Sequence, residues 1–397
     1  MTKPVTGNRA KNVIYMDYQA TTPTDPRALE VMLPFFTEAF GNPHSVEHAY
    51  GWDAEEAVER ARAEVADLIG AEAREIVFTS GATEANNLAI KGVARFHRER
   101  APKVVSVETE HKCVLESLHT LEREGHPVTI LPVRPNGLVD LDALADAIDE
   151  STCLVSVMAA NNEIGVIQPL AEIGALCREK RVYFHSDAAQ AVGKIPLDVE
   201  AMKLDLMSIS GHKLYGPKGI GALYVRRRPR VRLTAAIDGG GQERGLRSGT
   251  LPAPLIVGFG AACCLAGEGM LEEGERLGRL REELLGRLWG AIEGVEVNGD
   301  MERRLPGNLN LSFLGVAAED LIRAVPSLAI STGSACSSAS VESSYVLRAL
   351  GLGEERARSA VRVGLGRFTT PEEIAKAAEL IAQVVIKLRA EGSAATQ

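Results

Sequence analysis

The chain has 397 residues, 45% hydrophobic and 24% charged, ordinary proportions for a globular protein and enough for two or three structural units, or one large unit with a smaller one attached. Its formal net charge is −9, from 44 basic and 53 acidic side chains, which argues against general nucleic-acid binding, since that needs a basic surface. No stretch approaches the roughly 20 apolar residues of a membrane span, and the opening MTKPVTGNRAKN lacks the apolar core of a signal peptide; a cytoplasmic location is expected.

From the N-terminus, the first strong pattern is residues 53–69, where Val58, Ala61, Val65, Leu68 and Ile69 recur at helical spacing. Short Val- and Ile-rich runs of strand length follow: 76–80, 103–108, 128–133, 153–158, 182–187, 206–210 and 221–227. Helix-like segments such as LESLHTLEREG and LAEIGALCREK separate many of them. This alternation predicts an α/β fold with a mainly parallel sheet flanked by helices. Arg226-Arg227-Arg228 reads as a solvated strand end rather than a nucleic-acid patch. The alternation fades after about residue 265, and residues 266–397 are expected to form a smaller α+β domain. Its last helix starts at Thr370, Pro371 and Glu373, an N-cap with a capping box, and the final EGSAATQ should fray.

Six cysteines are scattered along the chain with no CxxC pair and no metal-ligand spacing. Cys153, Cys177, Cys263 and Cys264 lie in apolar stretches and read as small core residues.

Ligands of open α/β sheets bind beyond the carboxyl ends of the strands, so the residues that follow each run carry the functional reading. Gly81-Ala82-Thr83-Glu84 suits a phosphate cradle at a helix N-terminus, or an ordinary strand-to-helix turn. His111 follows the next run, and Asn161-Asn162 follow another, where they bind a ligand or close a turn. Asp187, with Gln190 behind it, either pairs with a cation or caps a helix. Ser210, His212 and Lys213 stand among glycines, where a lysine serves as a phosphate ligand or a Schiff-base nucleophile. No GxxxxGK[ST] and no GxGxxG after the first strand occurs, so neither a P-loop nor a nicotinamide fingerprint is present. An acid for a pyridinium nitrogen, a ring-facing histidine, a phosphate cradle and a lysine together form the set that pyridoxal phosphate requires.

Here the sequence resembles a known family, the pyridoxal-phosphate cysteine desulfurases of the iron–sulfur-assembly and nitrogen-fixation type, in the class V aminotransferase group. The segments that carry the resemblance include DYQATTP (17–23), SGATEANNLAIKG (80–92), TEHKCVL (109–115), HSDAAQAVGK (185–194), SGHKLYGPKGIGALYVRR (210–227), GGGQERGLRSGT (239–250) and STGSACSSAS (331–340). It covers about residues 12–389.

The resemblance implies the type I fold of pyridoxal-phosphate enzymes, with an N-terminal arm (1–20) packing on the small domain, a large cofactor domain (21–265) and a small domain (266–397) carrying Cys336. It implies that Lys213 bonds the cofactor, Asp187 pairs with the ring nitrogen, Gln190 with the ring hydroxyl oxygen, and His111 stacks on the ring. Ala82, Thr83, Ser210 and His212 would hold the phosphate, joined by Thr250 from the other subunit of a homodimer. Asn162 would lie near the cofactor oxygen and the substrate carboxylate, and Arg362 would bind that carboxylate through its planar fork.

Cys336 lies in a run of small residues expected to be a mobile loop. The resemblance makes it the thiolate that takes sulfur from L-cysteine, releasing L-alanine, and passes it to an iron–sulfur scaffold or another acceptor. It is also a candidate transient ligand of an iron–sulfur cluster. The STGSA before Cys336 places the chain with the first branch of the family rather than the RxGHHCA branch; a threonine stands where the commoner pattern has a second serine. The chain ends at Gln397, where housekeeping members carry a longer scaffold-docking tail, so the resemblance leaves the acceptor open.

Overall fold

The structure is a computed structural model that describes residues 12–332 and 343–395, with side chains to 392; Cys336 lies outside the described residues. The chain enters through β1 (Ile14–Tyr15), α1 (Pro26–Met32) and α2 (Pro34–Thr37), then the long α3 (Ala49–Asp67). Next come β2 (Ile76–Thr79), α4 (Ala82–Phe96), β3 (Lys103–Val107), α5 (Lys112–Arg123), β4 (Val128–Leu131) and α6 (Leu141–Ala147). They are followed by β5 (Thr152–Ser156), α7 (Leu170–Lys180), β6 (Tyr183–Asp187), β7 (Leu206–Ser210) and β8 (Gly221–Val225). After α8 (Ala253–Ala291) the chain forms β9 (Val295–Val297), β10 (Asn308–Phe313), α9 (Ala318–Ala324) and β11 (Leu328–Ala329). It ends with α10 (Tyr345–Ala349), α11 (Glu354–Arg358), β12 (Ala360–Gly364) and α12 (Pro371–Ala395).

Seven strands make one sheet in the order β2-β8-β7-β6-β5-β3-β4. All its pairings are parallel except those of β8, which runs antiparallel to both β7 and β2. Helices cover both faces, so β5 and β7 are buried at every position, which is why they read as continuous apolar runs rather than alternating ones. The carboxyl ends of β2, β3, β5, β6 and β7 therefore share one edge.

A second core joins the distal half of α8 to α9, α12 and the antiparallel sheet β12-β10-β9. Met16, next to β1, packs into it, and β1 pairs in parallel with β11. Val346, Leu347, Leu350 and Ala357, although distal in sequence, pack instead into the core under the large sheet. The expected boundary at 265/266 falls inside α8, which runs unbroken across it.

Five readings of the sequence change. The first helix begins at Ala49 rather than 53, because the His48 ring accepts the Gly51 N–H at 3.3 Å. By length and composition α8 is apolar enough to cross a membrane; its apolar face, including Ile256, Phe259, Ala262 and Cys263, is buried in the protein core. Cys264 is exposed, because neighbouring positions on a helix point about 100° apart and Cys263 takes the core side. Arg226 is buried, since Glu200 at 2.6 Å and the carbonyls of Leu204 at 2.8 Å and Val199 at 3.1 Å satisfy its guanidinium. Finally, α12 continues to Ala395, well into the tail expected to fray; its capping box is present, with Thr370 and Glu373 exchanging side-chain-to-backbone bonds of 3.0 and 3.2 Å.

Candidate active site

A cavity of about 540 Å³ opens at the carboxyl edge of the large sheet. Its lining includes Ala82, Thr83, His111, Asn162, Asp187, Gln190, Ser210, His212, Lys213 and Arg362. Of the residues named from the sequence, Cys336 is outside the described residues and Thr250 is exposed, away from this cavity. The others converge, drawn from positions 82 to 362.

One end is a backbone cradle. Gly81 precedes α4 with φ +148° and no side-chain cap, a conformation that suits glycine. A Cβ on Gly221 would meet the Ile209 carbonyl oxygen at 2.3 Å and the Gly81 Cα at 2.7 Å. Glycine there lets the start of β8 press against the turn. The first N–H groups of α4 have no intrahelical acceptor and carry the positive dipole end, a setting for an anion. Glu84, in the same turn, would oppose an anion, but Arg247 holds its carboxylate at 2.7 Å. Burial pushes the Glu84 carboxyl up, and the hydrogen bonds from Arg247 and the Ser80 N–H outweigh it, leaving it below the usual range. His212 bonds Thr21 Oγ1 at 3.0 Å; burial, then Lys213 and Lys218, push its imidazole down to about 4.

At the end of β6, Asp187 is 4% exposed. Its Oδ2 accepts from Asn86 at 2.7 Å and its Oδ1 from the Ala189 N–H at 2.9 Å. The second bond caps a turn and not the helix considered from the sequence, since none of the described residues between β6 and β7 is helical; among the described residues no cation forms an ion pair with Asp187. His111 caps α5, its Nδ1 accepting the Cys113 N–H at 3.2 Å and lying 3.0 Å from Cys113 Sγ. With Nδ1 an acceptor from the backbone, the proton of the neutral ring sits on Nε2. Burial lowers the His111 pKa, with Asp187 opposing and Lys213 adding to the shift. Asn86 also donates to Cys113 Sγ at 3.2 Å. Burial, then Asp187, push that thiol up to about 12.

The Asn161-Asn162 pair divides the two readings between its members. Asn161 closes the turn, accepting the N–H groups of Glu163 and Ile164 at 2.8 and 3.0 Å. Asn162 lines the cavity, and its buried Oδ1 has no hydrogen-bond partner among the described residues.

The opposite wall comes from distant segments. Lys213 Nζ donates to the carbonyl oxygens of Gln19 at 2.5 Å and Ala20 at 2.7 Å, on the arm. Arg362, on β12 and 2% exposed, donates from Nη1 to the Asn162 carbonyl at 3.0 Å and from Nη2 to Asp17 Oδ1 at 2.8 Å. Ser331 Oγ bonds the same Asp17 oxygen at 3.1 Å. Sequence reasoning missed the roles of Asp17, Gln19, Asn86 and Cys113. The DYQATTP segment is visible in the sequence, but backbone acceptors and a contact such as Asn86–Asp187, 101 residues apart, leave no pattern in spacing.

A mainly parallel sheet with a lysine, a buried aspartate and a helix-start cradle at one edge defines a type I pyridoxal-phosphate protein. The chain belongs to the aminotransferase class-V family, matching it over residues 14–376. It is 59% identical over 376 residues to the cysteine desulfurase IscS of Rickettsia bellii, covering 95% of this chain and 92% of that one. A solved NifS-like protein superposes with a TM-score of 0.88 at 37% identity, over 94% of this chain and 99% of the other. The structure described as SspA in complex with cysteine matches with a TM-score of 0.80 at 39% identity, over 90% and 99%.

Pyridoxal 5'-phosphate is this family's cofactor, and the residues present fit it. A buried carboxylate without a cation suits a protonated ring nitrogen; an unpartnered amide oxygen and an open helix start face the same space.

Proposed function

We propose that the chain is a cysteine desulfurase that converts L-cysteine to L-alanine and carries the sulfur as a persulfide on Cys336. The observation that carries this reading is the convergence of Lys213, Asp187, His111 and Arg362 on one cavity, in a chain whose relatives bear that activity. Ala82, Thr83, Ser210 and His212 would hold the phosphate, Lys213 would bond the cofactor, Gln190 would meet its ring oxygen and His111 its ring face. When bound, the cofactor supplies an electron sink for the pair released at the substrate Cα.

The chain's own groups do the rest. Arg362 binds the substrate carboxylate beside Asn162. Lys213 Nζ removes and returns the Cα proton. Asp187 keeps the ring-nitrogen end of the site negative. The Cys336 thiolate attacks the substrate sulfur and the Cβ–S bond breaks. Its electron pair stays on carbon, which is protonated, so cysteine plus thiol becomes alanine plus persulfide.

A homodimer is part of the proposal. Phe36, Phe40, Tyr50 and Trp52 are more than half exposed within 17 residues of sequence, and the Phe40 and Tyr50 rings pack tilted against each other with centroids 5.2 Å apart. Such an apolar group suits a second copy, whose Thr250 would complete the phosphate site. The sulfur would pass to an iron–sulfur scaffold or another acceptor, with Cys336 a transient cluster ligand there.

The test is the Cys336→Ala variant with L-cysteine. It should retain the cofactor's visible absorbance and form no persulfide. Keto-acid-dependent turnover untouched by that substitution would make the chain an aminotransferase and overturn the reading.

A further inference from the structure

Lys194 is a half-buried amine for which the reaction above has no use; burial pushes its pKa down to about 7. It sits in the turn after β6, against a space lined by Tyr18, Gln19, Tyr215 and Glu273. Among the described residues no carboxylate forms an ion pair with it; Glu273 is engaged by Arg367 at 2.8 Å. Lysine is costly to place this way. Its Nζ donates to Gln190 Oε1 at 3.0 Å. Gln190 is 4% exposed and lines the cavity, and its Nε2 donates to the Gln19 carbonyl at 2.9 Å, the same oxygen that accepts from Lys213 Nζ.

This geometry orients the amide. A carbonyl oxygen only accepts, so the group facing Gln19 is the NH₂, and the Oε1 must face Lys194. One N–H of Gln190 remains for the cavity. Without Lys194, a buried Oε1 would lose its donor, and the amide could turn its oxygen inward.

We infer that Lys194 is a positioning residue: it fastens Gln190 so that an N–H faces the cofactor's ring oxygen. The inference rests on the function proposed above. A donor at an anionic ring oxygen stabilises it and makes the nearby cofactor–lysine nitrogen less willing to hold its proton. The charged groups around Lys194 are Lys213, Arg362 and Glu273, and all three stay in place in the variants.

The experiment titrates the visible absorbance of the purified holoenzyme against pH for wild type, Lys194→Met, Lys194→Leu, Lys194→Gln and Lys194→Arg. Lys194→Leu, which also lacks a donor, serves if the methionine variant does not fold. The Met or Leu variant should move the midpoint up by about one pH unit, a tenfold rise in proton affinity, and Lys194→Gln and Lys194→Arg, which keep a donor, should leave it near wild type. A filler role would lower stability or cofactor content and leave the midpoint in place. Cofactor bound in every variant with an unmoved midpoint would overturn this inference alone. A wild-type chain that binds no cofactor would overturn the proposed function and this inference with it.

Discussion

Two walls of the cavity are assembled in different ways. The sheet-edge wall takes His111, Asp187, Ser210 and Lys213 from strand ends in chain order, and each ends its strand or follows it within a few residues. The opposite wall takes Gln19 from the arm and Arg362 from β12, with Asp17 of the arm, 345 residues away in sequence, holding Arg362. The first wall is a consequence of parallel topology: once the strands pair, their ends meet at one edge. The second depends on β1 pairing with β11 and on Asp17 reaching Arg362. The sheet-edge wall therefore carries the chemistry on rigid elements, and the arm wall sets how that chemistry is aimed.

The largest effect should come from the sheet edge. Lys213→Ala removes both the cofactor's attachment and the proposed base, and alanine formation should fall by more than about a thousandfold. Measured next to cofactor content, it sharpens the comparison: a variant of the arm wall should not approach that loss.

A second break lies behind the cradle. Glu243 accepts two bonds of 2.8 Å from Arg62, both side chains being almost fully buried, and one of 2.7 Å from the Phe78 N–H on β2. Glu243→Ala should destabilise the fold by about 3–5 kcal/mol, read from urea unfolding, and so loosen the 239–250 segment that carries Thr250.

On the arm wall, Asp17→Asn takes the charge from the Arg362 contact while keeping its shape. A charge-assisted hydrogen bond is worth about 1.5–3 kcal/mol. KM for L-cysteine should change by up to about tenfold, with kcat altered less. A kcat loss matching that of Lys213→Ala would merge the two walls into one.

The smallest effect is on pH. His185 lies in the sheet between Ser156 Oγ at 2.9 Å and Ser208 Oγ at 3.0 Å, and burial pushes its pKa down to about 3. Its unfolded value is about 6.5, so the unfolded chain binds the proton first. The contribution of His185 is intact above pH 6.5 and is lost as pH falls from there toward 3. His185→Gln should flatten that part of the acid limb in urea midpoints measured across this range.

The same division explains what the sequence reveals. The runs at 76–80, 103–108 and 206–210 become β2, β3 and β7 within a residue of their expected ends, because buried parallel strands need unbroken apolar runs. Asp187, His111 and Lys213 were legible as residues that follow such runs. The α8 segment misled at Cys264, because adjacent positions on a helix face different surroundings. Asp17, Asn86 and Lys194 were hidden for another reason: each acts through a side chain or backbone group far away in sequence, and only folding brings them into contact.

The measurement that bears most directly on the account is the intact mass of the purified holoenzyme after incubation with L-cysteine, followed by peptide mapping. The account predicts one added sulfur on the peptide containing Cys336, with alanine released. Cofactor demonstrably bound, L-cysteine supplied and no sulfur on that peptide would contradict it.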